Sequence, residues 1–505
     1  MSLNFEDFFL PFGGKLDGKN RWVKLTNLIP WDDFEELYSE QFSNDMGAAA
    51  LPFRVALGAL IIKERLRITD REAVEQIKEN PYLQYFLGFS EFTYDEPFDA
   101  SMYVHFRKRI SKEILSAVNE AVVKMSLGRD EDVSPTPDTH DNDDPPKNRG
   151  KLIIDATCTP ADIRYPTDLS ILNEAREKTE RIIDVLWEHR KGDCGFKKKP
   201  RTYRKRARKD FLTIIKQQKD KSRTCRKGIS KQLHYLKRNL EHIDKLSKFV
   251  SLNVLSRFLY RCLLVVNEVY RQQREMYEHQ THRIADRIVS ITQPHVRPIV
   301  RGKAGKKVEF GAKISASSCM GYSFVDRISW DAYNESEDLI AQAERYRRRF
   351  GHYPQSIHAD KIYRNRANRR WCKKHGIRLS GPSLGRPPKV TDSNCDELKA
   401  IAKIAKLDEI DRIDIEARFG HSKRRYGLDR VMAKLVDTSE SVISLVFFVM
   451  NLEKILRDLF LPWLYSTFAA FFNSGASKNS GKNFTINKKR NMPIPYIQLL
   501  SRDAC

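Results

Sequence analysis

The chain is 505 residues long, 41% hydrophobic and 31% charged, which excludes a disordered polymer and leaves room for two to four domains. Its formal charge of +24 favours a polyanionic partner, because each basic group that neutralises a phosphate also releases a condensed counterion. Anionic membrane and ribosome surfaces would draw the same excess, so charge alone does not choose among them.

In chain order, MSLNFEDFFLPFGGK has no basic segment followed by an apolar one, so no signal peptide is expected. Residues 1–127 read as an all-helical N-terminal domain for DNA binding or dimerisation. LPFRVALGALIIKERLRITDREAVEQIKENPYLQYFLGF, at 51–89, places apolar clusters at helical spacing. Thr69 with Glu72 predicts a capping box, and Pro81 another helix boundary. A further amphipathic segment covers 101–125. Short helices with basic edges fit a helix-turn-helix-like reader, and they fit a packing module equally well.

Residues 128–150 are rich in Asp and Pro and poor in apolar residues, as expected of a linker. KLIIDAT follows at 151–157, a β-branched run that reads as a strand with Asp155 at its end. Residues 165–290 then read as a long helical insertion. Its centre, 197–239, carries 18 Lys and Arg against two Asp. Solvated faces usually mix both signs, so this one-sided charge points to DNA-backbone contact without base specificity.

Strands return at 306–318, 321–330 and 355–360, with a helix at 336–351 between the second and third. After Asp360 come a basic helix (364–376), a short strand (377–381), a Pro/Gly-rich turn (382–389) and more helix. Apolar runs within 441–472 are too short to span a bilayer and are split by Glu453, Lys454, Arg457 and Asp458, so a buried helix pair and no membrane are expected. Residues 473–505 read as a polar, flexible tail. The eight cysteines form no CxxC pair and indicate a reduced, cytoplasmic protein. RGKAGKK, at 301–307, lacks phosphate-loop spacing, so no nucleotide cofactor is expected. The pattern as a whole is α/β.

Three carboxylates stand out. Asp155 and Asp360 each follow an apolar strand, and Glu416 lies on a helix with Arg412 four residues before it and Lys423 within two turns. Singly, each has a plain structural use: a strand-end Asp capping a loop, or a surface ion pair. Together they offer oxygen ligands for Mg²⁺ on rigid elements with cations nearby for phosphate, as in-line phosphoryl displacement requires.

DATCTPADIRYPTDLSILNEAREK (155–178), ADKIYRNRANRRWCKKHGIRLSGPSLGRPPK (359–389) and IEARFGHSKRRYGLDRVMAKL (415–435) resemble the transposases of bacterial insertion sequences. So do ITQPHVRPIVRGKAGKKVEFGAK (291–313), DRISWDAYNESEDL (326–339) and the helical run 53–88. The branch is the one with a Tyr-Arg-Glu-Lys signature, similar to insertion sequence family five. The resemblance implies a ribonuclease-H-like catalytic core over 151–472, a mixed sheet flanked by helices. Asp155, Asp360 and Glu416 would be its catalytic triad and metal ligands, for Mg²⁺ with Mn²⁺ as a substitute. Arg412 and Lys423 fall on the signature's Arg and Lys, while Glu409 stands where it has Tyr, with Tyr426 nearby in sequence. Arg412, Lys423, Lys361 and Arg364 would bind DNA phosphates. The implied partners are double-stranded DNA and a second copy of the chain or a larger assembly, in a bacterial cytoplasm beside the nucleoid. Binding of terminal inverted repeats, strand cleavage and 3′-end joining would be the activity. A same-fold nuclease or a silent DNA-binding relative are the alternatives.

Overall fold

The computed structural model describes residues 4–11, 13–40, 42, 50–131, 147–190, 198–216, 221–300, 308–382, 391 and 394–475. Most of the expected linker and tail, the run 301–307 and most of the turn 382–389 lie outside them. The chain divides into two compact units, Met1–Leu456 and Arg457–Cys505. The first carries all the side-chain structure described below.

It begins with helices α1 (Arg21–Thr26), α2 (Glu35–Ser39), α3 (Phe53–Leu66), α4 (Asp70–Glu79), α5 (Pro81–Leu87), α6 (Met102–Arg109) and α7 (Lys112–Glu131). Thr69 caps α4 by accepting the Glu72 amide, 3.2 Å. The reciprocal half of the expected capping box is replaced by a Gln76 side chain that takes the Glu72 carboxylate, 3.0 Å. Pro81 opens α5 with Asn80 as its cap, where a missing N–H costs nothing. The expected single segment 101–125 is two helices, broken at Ile110–Ser111.

Strand β1 (Lys151–Pro160) is followed by α8 (Asp168–Glu188), α9 (Arg204–Ile215), α10 (Lys221–Ser247) and α11 (Arg257–Glu278). These helices bury apolar clusters of their own, around Leu172, Leu236 and Val266 and around Ile183 and Leu246. On α9, Lys205, Arg206, Arg208 and Lys209 face solvent. Then come β2 (Arg297–Val300), β3 (Val308–Cys319), β4 (Tyr322–Ser329), α12 (Asp338–Phe350), β5 (Ser356–His358), α13 (Arg366–Lys374), β6 (Arg378–Leu379), α14 (Cys395–Tyr426) and α15 (Val436–Gly475). The pair expected within 441–472 is instead the single helix α15. Among the described residues no helix is long and apolar enough to cross a membrane.

The six strands form one mixed sheet ordered β2-β3-β1-β5-β6, with β4 paired to β3. β1 runs antiparallel to β3 and parallel to β5, and β5 parallel to β6. The architecture is therefore α/β, a mixed sheet flanked by helices. Gly311 has to be glycine here: an added Cβ would lie 2.1 Å from the Thr159 carbonyl oxygen across the β1–β3 pair. Alternate residues of the sheet meet different helices. On one face α12 sends Gln342 to the Ser315 hydroxyl, 3.2 Å. On the other, Asp414 of α14 accepts from Ser318, 2.8 Å, and Lys423 donates to Thr157, 2.9 Å. One hydrophobic cluster joins α3–α7, the sheet and α15. Within it Asn451 of α15 donates to Asn119 of α7 and to the Ser323 carbonyl of β4, 2.8 Å each.

Asp326 of β4 is buried and spoken for. It accepts from Arg349, 3.1 Å, and from Gln342, 2.9 Å, while Arg349 also reaches Glu120, 2.8 Å. Breaking a buried ion pair strands one charge in low dielectric. Asp326→Ala should therefore lower the unfolding free energy by about 3 kcal/mol, measured by urea unfolding; an unchanged midpoint would refute that role.

Candidate active site

Asp155 does not end its strand, as the sequence implied, but sits in the middle of β1, opposite Ala316 of β3. The apparent end is an ending of its neighbour. β5 pairs with β1 only through Lys151↔Ser356, Leu152↔Ile357 and Ile153↔His358, then stops. Asp155 and Asp360 each lie two residues past the last pair, so the parallel register carries both to the same level of the sheet. There the chain leaving β5 turns away, with Asp360 capping a 3-10 turn, Lys361–Tyr363, through the Lys361 amide, 2.6 Å.

Helix α14 lies across this notch, its buried Ile415 and Phe419 holding it in place. Its registry presents Arg412, Glu416 one turn later and Lys423 two turns beyond that on the same side. Asp155, Asp360, Glu416, Arg412 and Lys423 thus line one open cleft of about 700 Å³. Arg412 bridges two of the carboxylates, 3.7 Å from Asp360 and 3.5 Å from Glu416. Asp155 is the most enclosed of the three. Burial pushes its carboxyl up to about 6, with Glu335 and Asp360 adding repulsion, against the Ala156 amide and Arg412, which pull it down.

Lys361 and Arg364 are not among the residues lining this cleft. Lys361 is exposed beside it, whereas Arg364 folds back to the Ala359 carbonyl, 3.1 Å. Glu409 is exposed on the outer side of α14, and Tyr426 is buried against His421. Tyr322 and Phe324 are buried in the core. Among the other residues lining the cleft, Thr157, Lys313 and Glu335 carry polar groups that the sequence pattern did not single out. Thr157 could have been found as the next same-face residue after Asp155. Nothing in the run NESED distinguishes Glu335 from its acidic neighbours.

A second group, His358, Asp408 and Asp411, brings one ligand atom from each within 4.8 Å of the others. Its charges are already matched: Arg378 grips Asp408 with two bonds, 2.6 and 2.8 Å, and Lys151 holds Asp411, 2.7 Å. Burial pushes the His358 imidazole down, favouring its neutral form. The group fastens α14 to β1, β5 and β6, one to two turns before Glu416. In the cleft itself the donors are carboxylate oxygens with no His or Cys sulfur or nitrogen among the lining residues except Cys158, a set suited to a hard divalent cation such as Mg²⁺.

Residues 357–453 match a family model described as Transposase DDE domain, and residues 11–109 match one described as Transposase domain. The first match includes Asp360, Arg412, Glu416 and Lys423; Asp155 lies before it. The chain is also 31% identical over 163 residues to an uncharacterized protein, ORF8 in the nfe locus of Rhizobium meliloti, covering 32% of this chain and 70% of that one. No solved structure matches it significantly.

The Asp155 shift has a consequence for stability with a definite sign. A folded carboxyl at about 6 keeps a proton that the unfolded chain, at 3.8, releases. Metal-free wild-type protein therefore loses stability as pH rises from about 4 to about 6 and stays lower above that. Asp155→Asn removes the effect. In chelator-treated protein its unfolding free energy should match wild type near pH 4 and exceed it by about 2 kcal/mol at pH 7. A gap equal at both pH values would mean that the carboxylate is not penalised in the fold.

Proposed function

This chain belongs to the DDE transposases of bacterial insertion sequences, and we propose that it binds the terminal inverted repeats of its element, cleaves the strands there and joins the 3′ ends to target DNA. The observation that carries this reading is the meeting of Asp155 from β1, Asp360 from the turn that follows its parallel neighbour β5, and Glu416 from α14, in one cleft with Arg412 and Lys423. The mixed sheet would be a ribonuclease-H-like core, with the α8–α11 region inserted after its first strand.

The three carboxylates would hold Mg²⁺, or Mn²⁺ in its place. Bound there, the cation would supply charge stabilisation at the phosphorus being attacked and acidify the attacking oxygen. The side chains do the rest. Arg412, already between Asp360 and Glu416, keeps the metal-free carboxylates from repelling one another and can turn a guanidinium edge to phosphate. Lys423, tethered to Thr157, places an ammonium at the opposite wall. The exposed cations of α9 would grip backbone phosphates away from the cleft, as the helical N-terminal region reads the ends. Two ends must be handled together, which calls for a dimer or larger assembly on DNA.

The decisive experiment incubates the protein with Mg²⁺ or Mn²⁺ and DNA carrying the ends that flank its own gene, then maps the cut and joined strands. Cutting without joining would identify a nuclease; no cutting would identify a DNA-binding relative. Asp155→Asn, Asp360→Asn and Glu416→Gln should each reduce cleavage by about 10²–10³-fold or more while leaving DNA binding intact. A variant cutting at the wild-type rate would remove that residue from the site. Binding should weaken steeply with salt, and Lys423→Ala should flatten the slope of log affinity against log salt by about one. An unchanged slope would show that Lys423 touches no phosphate.

A further inference from the structure

The cleft holds a carboxylate beyond the three already assigned roles. Glu335 lines the same walls as Asp155, Asp360 and Glu416, and its charge is felt at Asp155. It lies in a 3-10 turn, Glu335–Glu337, capped by Asn334. That turn is locked to the one beginning at Asp360. The buried Asn368 amide donates to the Ser336 carbonyl and to the Tyr363 carbonyl, 2.8 Å each. One side chain therefore fixes the turns bearing Glu335 and Asp360 relative to each other, from behind the site.

Lys313 of β3 meets Glu335 at 2.9 Å, yet it has other support: the Tyr333 carbonyl at 3.0 Å and the Tyr333 ring beneath it at 4.8 Å. Four carboxylates face three cationic side chains in the cleft lining, Lys313, Arg412 and Lys423. A fourth acid crowded among like charges is unfavourable unless a cation joins them. Tyr363, which closes the turn that begins at Asp360, is fully buried. Burial first, then the charges of Glu335 and Asp155, push its hydroxyl's ionisation up, against the Ser315 hydroxyl, which pulls it down.

We propose that Glu335 is a fourth carboxylate of the metal site, with Lys313 as the counter-ion that occupies it when no cation is bound. This rests on the cleft being a metal site at all, and the test separates the two. Mn²⁺ binding to full-length protein without DNA would be measured by calorimetry and by the Mn²⁺ paramagnetic resonance signal. Variants are Glu335→Gln, Glu335→Asp, Lys313→Met and Asp155→Asn, with unfolding midpoints as a check on folding. Glu335→Gln should weaken Mn²⁺ by about tenfold or more, and Glu335→Asp should recover part of the loss. Lys313→Met should bind Mn²⁺ at least as tightly as wild type, since it frees the carboxylate.

Wild-type affinity in Glu335→Gln overturns the proposal. So does equal weakening in Glu335→Gln and Lys313→Met, which would make the pair merely structural. If Asp155→Asn loses Mn²⁺ while Glu335→Gln does not, only Glu335 leaves the site. If Asp155→Asn also binds like wild type, the reading of the cleft as a metal site falls with it.

Discussion

The parallel pairing of β1 with β5 sets where the acidic cleft can be. Three residue pairs, ending at Ile153↔His358, are enough to bring Asp155 and Asp360 level although 205 positions separate them in the chain. Because side chains alternate across a strand, a slip of one residue would turn Asp360 away from Asp155 and out of the notch. The buried faces of both strands make such a slip costly: Leu152, Ile154 and Ile357 are all inaccessible to solvent. Hydrophobic burial thus specifies the position of two charged groups that could not specify it themselves.

The third carboxylate depends on a different device. Helix α14 is 32 residues long, and much of its N-terminal half is exposed, so apolar packing alone pins only its later turns through Ile415, Phe419 and Tyr426. Ion pairs supply the rest. Arg378 and Lys151 bind Asp408 and Asp411 from the sheet, and Asp414 takes the Ser318 hydroxyl. These contacts bracket Glu416 on the N-terminal side as Lys423–Thr157 does on the other. Partly buried bonds of this kind contribute more to register than to net stability, since each charge gives up hydration to form them.

Charge is also divided by location. The cleft gathers carboxylates, where burial first and then the charges of Glu335 and Asp360 raise Asp155, while the exposed cations of α9 lie on a helix bundle with apolar clusters of its own. A strongly basic chain can keep an acidic pocket because the two are carried by separate elements. In the proposed activity the same division would let DNA be held electrostatically without neutralising the carboxylates meant for the metal.

Much was written plainly in the sequence. Helices, strands and their order follow from periodicity and caps, the basic region from composition, and Asp155, Asp360 and Glu416 from their settings and motif resemblance. Local pattern failed where its cause was not local. Asp155 looked terminal because hydropathy falls after Ile154, but β3 pairs with β1 as far as Pro160 and extends the strand. The expected pair of helices at the C-terminal end is a single one, in which Glu453 is engaged by Arg65 of α3, a partner nearly 400 residues away. Glu335 was indistinguishable in a run of acidic residues until Asn368 tied its turn to that of Asp360. The sequence by itself determined which residues could do chemistry, since side-chain type and spacing are local. Only the tertiary structure decided which of them share a cleft, because strand register and a buried amide act between residues that the chain keeps far apart.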